Sequence, residues 1–210
     1  IPLLAWTIRV AKQCPRITRL VLSTDDPDLA AIARVEGCEV PFWRPAELAS
    51  DTAGSAAVVL HALDQLGTNW DGVMLLQPTS PLRQRVDLEA ALDLYGAAPA
   101  GTSVVSVVEV PHGLSVQYLL QADGSLQRAY PDAVAVTRRQ DAQPIYTPNG
   151  AIYIVEPQAF LRQPAFVNAS TRALVMPRSR SLDIDEACDL DYLRYLCNKD
   201  PSLVPSPWVP

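Results

Sequence analysis

The chain has 210 residues, 49% of them hydrophobic and 19% charged, with a formal net charge of −6. That length holds one medium α/β domain, or a domain with a small appendage, and the mix excludes disorder along the whole chain. The acidic balance argues against a surface that tracks duplex nucleic acid, and no apolar run reaches the roughly 18 residues of a membrane span. Cys14, Cys38, Cys188 and Cys197 contain no C-x-x-C pair. Free thiols are therefore expected rather than a zinc site or a disulfide scaffold. The 19 prolines point to many sharp loops.

From the start of the chain, Pro2 precedes a helical pattern in which Leu3, Leu4, Thr7, Ile8 and Ala11 share a face. Ile17 to Ser23 reads as a buried strand. Asp26 and Pro27 then supply an N-cap and a first helical position, and Gly37 ends that helix. Cys38 to Pro41 reads as a short strand, and Ala56 to Leu66 as a helix with Val59, Leu60 and Leu63 at core spacing. Asp71 to Leu76 is a continuous apolar strand, as parallel sheets require. A loop follows from Gln77 to Arg83, then a helix from Val86 to Tyr95 and a Val-rich strand from Thr102 to Val110.

This alternation predicts an α/β fold, an open and mostly parallel sheet with helices on both faces, whose ligands sit beyond the carboxyl ends of the strands. The second half departs from it. Pro111 to Tyr146 reads as a small β-rich arm with a turn at Asp123-Gly124, and Ala151 to Val155 restores a core strand. Glu186 to Leu196 is a closing helix, and the proline-rich tail from Asp200 reads as irregular. The expected organisation is a core over 1–110, an arm over 111–146, a return to the core over 147–200 and a tail over 201–210.

Three stretches carry the chemistry. In Gln77-Pro78-Thr79-Ser80-Pro81-Leu82-Arg83, two prolines stiffen a loop that can hold Gln77 and its N–H groups toward a ligand; the alternative is a plain strand-to-helix connection capped by Ser80. In Ser181-Leu182-Asp183-Ile184-Asp185, a strand would point both carboxylates to one face, a repulsive pairing that makes sense around a divalent cation and a phosphate. The alternative is that Asp185 caps the next helix. Arg138-Arg139-Gln140-Asp141 puts paired arginines in an acidic protein, which fits either an anionic ligand or a solvated patch.

These stretches, with Ser23-Thr24-Asp25, Arg44 to Ala49, Asp51 to Ala53 and Asn149 to Ile154, resemble the acylneuraminate cytidylyltransferases, or CMP-sialic acid synthetases, in family order and as far as about Leu196. The resemblance implies a Rossmann-like nucleotidyltransferase domain with a protruding dimerisation arm. It implies that CTP is joined to a nine-carbon 2-keto sugar acid, such as N-acetylneuraminate, with release of pyrophosphate. The resemblance implies that Asp183 and Asp185 hold Mg²⁺, and Asp185, or water on the metal, is the expected acceptor of the hydroxyl proton. Arg44 and Ser55 match positions facing the cytosine and ribose, and Gln77 the residue between nucleotide and sugar. Asn149 and Tyr153 match the lining of the sugar pocket, while Arg138 or Arg139 would meet the sugar carboxylate. Bland alternatives remain: loop packing for Arg44, a helix N-terminus for Ser55, a core aromatic for Tyr153 and a capping role for Asp25.

Two departures stand out. The family's opening strand and its Gly-, Ser- and Lys-containing triphosphate loop have no counterpart here. The expectation is truncation rather than true loss, and poor turnover of CTP by this stretch alone. Ser115 and Thr147 also stand where sialic acid users carry basic residues, which leaves the sugar open. Competing expectations are a cytidylyltransferase for Kdo and a non-catalytic nucleotide- or sugar-binding homologue. Val116, Tyr118, Leu119 and Leu120 on the arm imply a homodimer. Bacterial relatives imply a cytoplasmic setting.

Overall fold

A computed structural model of the chain describes residues 1–50, 52–111, 114–131 and 143–206. Six helices are seen there: α1 (Leu3–Lys12), α2 (Pro27–Val35), α3 (Ser55–Leu66), α4 (Arg85–Gly96), α5 (Pro157–Arg162) and α6 (Ala187–Lys199). The strands are β1 (Val73–Leu75), β2 (Val104–Glu109), β3 (Tyr118–Leu120), β4 (Leu126–Arg128), β5 (Tyr146–Val155) and β6 (Arg172–Val175). Among the described residues no helix is long and apolar enough to cross a membrane.

The main sheet has the order β1-β5-β2-β6. β5 runs antiparallel to both β1 and β2, and β6 lies parallel to β2. Three of the four strands thus share a direction, with β5 reversed between two of them. Period-two alternation along β5 decides which helices cover which face. Ile152 and Ile154 pack with Val10 and Cys14 near α1 and with Leu88 and Ala91 of α4. Val155, on the other face, packs with Val59 and Leu63 of α3 and Phe160 of α5. The result is an α/β fold of Rossmann-like form with helices on both sides of the sheet.

α1 is the keystone of the helical layer. Seven of its residues are buried, Leu4, Ala5, Trp6, Thr7, Ile8, Val10 and Ala11. They contribute to three separate clusters: against the sheet, against α2, and against α6 through Trp6 and Leu193. Each large apolar side chain taken from water there contributes about 1.5–3 kcal/mol. Arg9 adds a two-pronged ion pair with Glu36 just past the end of α2.

Helix boundaries follow local chemistry. Asp26 caps α2 by accepting from the Asp28 and Leu29 N–H groups, and Gly37, with φ of 73°, turns the chain out of it. Gln84 is the N-cap of α4, and its N–H donates to Asp87, so Ser80 does not cap it as the loop alternative required.

Some expected elements are reduced. Ile17 to Ser23 and Cys38 to Pro41 do not form regular strands; they meet in one parallel bridge, Val21 to Glu39, with Leu22 N–H and Glu39 N–H as donors. They bond to each other rather than to the main sheet, so no ladder propagates. The tail is not wholly irregular: Asp200 caps a 3₁₀ turn at Pro201–Leu203, and Leu203 packs beside Trp6 and Leu193. α5 and β6 had no reading in the sequence. In the arm, β3 and β4 form a two-stranded antiparallel sheet around Gly124, whose φ is 82°.

The pairing of β2 with β5 slips between Val105, which faces Tyr153, and Val107, which faces Pro148. Residues 149–152 therefore bulge opposite the single residue Ser106. Its buried hydroxyl fills the missing ladder, donating to Asn149 Oδ1 at 2.6 Å and accepting from the Ile152 N–H at 2.7 Å. Ser106→Ala leaves that N–H without a partner. It is expected to lower stability by about 1–3 kcal/mol, read from the urea midpoint; an unchanged midpoint would show that the bulge stands without the hydroxyl.

Candidate functional site

The bulge aims Gly150 at the carboxyl edge of the sheet. Its φ is +75°, and a Cβ built there would lie 2.8 Å from Gln77 Oε1, 2.9 Å from Ser80 Oγ and 3.0 Å from Asp183 Oδ2. Three oxygen-bearing side chains from two segments thus converge on one glycine. Gln77 and Ser80 come from the loop after β1. Asp183 comes from the segment between β6 and α6.

Those segments are stitched together by polar contacts. The Ser80 hydroxyl donates to the Asn149 carbonyl at 3.2 Å, and the Ile184 N–H donates to the Thr79 carbonyl at 2.8 Å. Asn149 Nδ2 donates to Ser181 Oγ at 2.9 Å. Arg180 grips buried Asp87 through both carboxylate oxygens, which fixes the start of the acidic segment against α4.

The two acidic residues differ. Residues 182–185 form no strand, so the expected two-residue alternation on one face does not apply. The chain is held there by the Thr79 contact and by the start of α6, not by a ladder. Asp183 is half-buried, and its Oδ1 is buried with no hydrogen-bond partner. Asp185 is exposed. It does not cap α6: Glu186 holds that position, and the N–H groups of Asp185 and Glu186 both donate to Asp189. Among the described residues no group of three or more His, Cys, Asp or Glu could hold a metal ion. Among the described residues a cation would therefore meet two carboxylates at most, a set that suits a hard cation sharing its shell with phosphate oxygens and water.

Asn149 is not free to line a pocket. It is 5% exposed, and its amide is spent on Ser106, Ser181, Met176 and the Ala151 N–H. Its work is to hold the bulge closed. Tyr153 is half-buried with its ring 5.0 Å from Phe166, on the sheet face opposite Ile152 and Ile154. Burial, and then the negative charge of Asp183, push its phenol above the ordinary value.

Arg44 and Ser55 stand on other segments. The Arg44 guanidinium binds the Ser23 hydroxyl and carbonyl, and the Arg44 backbone N–H donates to the Thr24 carbonyl at 3.0 Å, so the residue clamps the turn after Leu22. Ser55 is the first residue of α3, after Gly54 as N-cap. Asp51 and the Arg138-Arg139-Gln140-Asp141 stretch lie outside the described residues.

Sequence reasoning missed Gly150, Ser106 and Arg83. The Asn-Gly pair was the available signal for the first. For Arg83, it was a lone threonine, Thr7, inside an otherwise apolar helical stripe.

Residues 1–203 match the family described as Cytidylyltransferase. The chain belongs to that family. It is 33% identical over 190 residues to the N-acylneuraminate cytidylyltransferase of Escherichia coli O18:K1:H7 (strain RS218 / NMEC), covering 90% of this chain and 44% of that protein. It is 32% identical over 194 residues to the CMP-N,N'-diacetyllegionaminic acid synthase of Legionella pneumophila subsp. pneumophila, covering 90% of this chain and 82% of that protein. The chain thus spans less than half of the first relative and most of the second. A solved CMP:2-keto-3-deoxy-manno-octonic acid synthetase complexed with CTP shares the fold, with a TM-score of 0.69 over 95% of this chain and 88% of that one, at 12% identity.

Gly150→Ala is expected to lower stability by more than the ~1–2 kcal/mol that left-handed backbone costs a residue with a Cβ. The added carbon must also displace Gln77, Ser80 or Asp183. A urea midpoint equal to that of the parent would contradict this crowding.

Proposed function

We propose that this cytidylyltransferase couples CTP to a nonulosonic acid, N-acetylneuraminate or a relative such as legionaminic acid, giving a CMP-sugar and pyrophosphate. One observation carries the reading: Asp183 presents one oxygen to the Gly150 cradle and keeps the other buried and unsatisfied. A buried carboxylate oxygen without a donor is costly, and a cation is the partner that removes the cost. The names of the curated relatives point to the same substrate class.

In this reading the anomeric hydroxyl of the sugar attacks the α-phosphorus of CTP. A new O–P bond forms, the bond to pyrophosphate breaks, and the hydroxyl proton leaves to a base. Positioning and charge neutralisation do most of the work in such steps. Asp183 and Asp185 would hold Mg²⁺, which when bound would screen the triphosphate and withdraw charge from the reacting phosphoryl group. Asp185 is exposed and takes the hydroxyl proton. Gln77 stands between nucleotide and sugar, and Tyr153 closes the sugar side. Arg44 and Ser55 serve the cytidine end, and Arg138 or Arg139 pairs with the sugar carboxylate. We place the reaction in the cytoplasm, consistent with four cysteines that form no disulfide.

Pyrophosphate release by the full-length protein from CTP and a panel of 2-keto sugar acids tests this. Release is expected with at least one nonulosonic acid and magnesium, and release with none would reject the reading. Asp183→Asn is expected to lower kcat by about a hundredfold or more. Full turnover by Asp185→Ala would remove Asp185 as proton acceptor.

The β3–β4 arm supports a homodimer. Leu119, Leu120 and Leu126 are exposed, with Leu120 at 74%, and an isolated two-stranded sheet is marginal in water. A second copy covering that apolar surface is the economical arrangement. Leu120→Asp is expected to shift the protein toward monomer on sizing; a full-length parent that already runs as a monomer would overturn the arrangement.

A further inference from the structure

Arg83 is 2% exposed, yet it has no carboxylate partner within hydrogen-bond reach among the described residues. Asp87 raises its affinity for protons only through space, being itself gripped by Arg180 and the Gln84 N–H. The guanidinium instead spends its donors on three neutral oxygens. Nη2 donates to Thr7 Oγ1 at 2.7 Å, Nη1 and Nη2 lie 3.4 and 3.3 Å from the Gln77 carbonyl, and Nη1 also bonds the Ala151 carbonyl. Nε has no partner. Burial pulls the group down to about 10, which leaves it charged at neutral pH.

Filling a core does not require a charge. An apolar side chain would fill the same volume without the cost of burying a cation. What the guanidinium adds is a rigid plane of donors pointing in fixed directions. Two of its acceptors belong to the opposing walls of the site: Gln77 carries the side chain that meets Gly150, and Ala151 directly follows Gly150. The third, Thr7, belongs to α1, the helix on which three core clusters converge.

We infer that Arg83 is a positioning residue that sets the spacing between the Gln77 wall and the Gly150 wall and references both to α1. It acts through those carbonyls and touches no substrate. Its catalytic consequence rests on the cytidylyl-transfer reading; the tie itself does not.

The test compares Arg83→Lys with Thr7→Val in the full-length protein. Lysine keeps the charge but cannot span both carbonyls and Thr7. Valine removes only the α1 contact and leaves both walls tied. Arg83→Lys is expected to speed amide exchange at 77–80 and 149–152 by at least about tenfold. It is also expected to lower kcat by about ten- to a hundredfold while the KM for CTP stays within about twofold. Thr7→Val is expected to lower Tm but keep kcat within about twofold, since the reacting groups keep their spacing. Parent-like exchange and kcat in folded Arg83→Lys would overturn the inference. So would equal losses of kcat in the two variants, which would trace the effect to stability alone.

Where Arg83→Lys does not fold, the parent decides. Its Ser80 and Ala151 amides should exchange as slowly as Ala11 within α1, and exchange at the rate of an untethered loop overturns the tie. A parent that releases no pyrophosphate with any sugar acid rejects the cytidylyl-transfer reading, while the exchange results still decide whether Arg83 holds the two walls.

Discussion

Opposite Ser106, the ladder between β2 and β5 is interrupted, and the arrangement of the site follows from how that interruption is closed. Four residues of β5 face one residue of β2. Backbone groups left open there would each carry the cost of an unmade bond in the interior. Ser106 and Asn149 satisfy them locally, and the surplus chain turns at Gly150, where φ is positive. The same device brings a core strand against the loop after β1 and the acidic segment before α6.

The candidate site is built from distant parts of the chain, so its precision depends on polar contacts rather than on local propensity. Thr79 holds Ile184, Ser80 holds Asn149, Asn149 holds Ser181, and Asp87 holds Arg180. Each of these contacts is modest alone, about 1 kcal/mol net, but they share partners and so act together. Arg83 sits beneath them and connects the loop, the bulge and α1. Asp183 Oδ1, like Arg83 Nε, is buried without a hydrogen-bond partner, and the proposed function rests on that carboxylate.

Long elements with punctuation were legible in the sequence. α2 could be read from Asp26-Pro27 to Gly37, and α3 and α4 from their apolar spacing. The turn at Asp123-Gly124 was also readable. What failed depended on partners far away in the chain. Ile17 to Ser23 has the composition of a strand, but composition does not say which edge it will meet, and it forms only one bridge with Glu39. β6 has four residues and little alternation, and exists because β2 offers it a parallel edge. The Gln77–Arg83 loop and the two aspartates were legible as chemistry, but their geometry was not. The alternation argued for Asp183 and Asp185 needs a ladder, and none forms there. Asn149 is matched to the sugar pocket by resemblance alone; its contact with Ser106, 43 residues away, has no signal in the sequence.

The same asparagine bears on the chemical ageing of the protein. An Asn followed by Gly is the pair most prone to lose its side-chain amide, through attack by the next backbone nitrogen, wherever the chain is free to move. In the folded protein the Asn149 amide is immobilised by Ser106, Ser181 and Met176. Folding therefore protects this bond, and molecules that spend time unfolded accumulate an acid at position 149. Such a chain refolds without the amide donor to Ser181 and with a carboxylate beside the Ser106 hydroxyl, so the damage is written into the bulge itself.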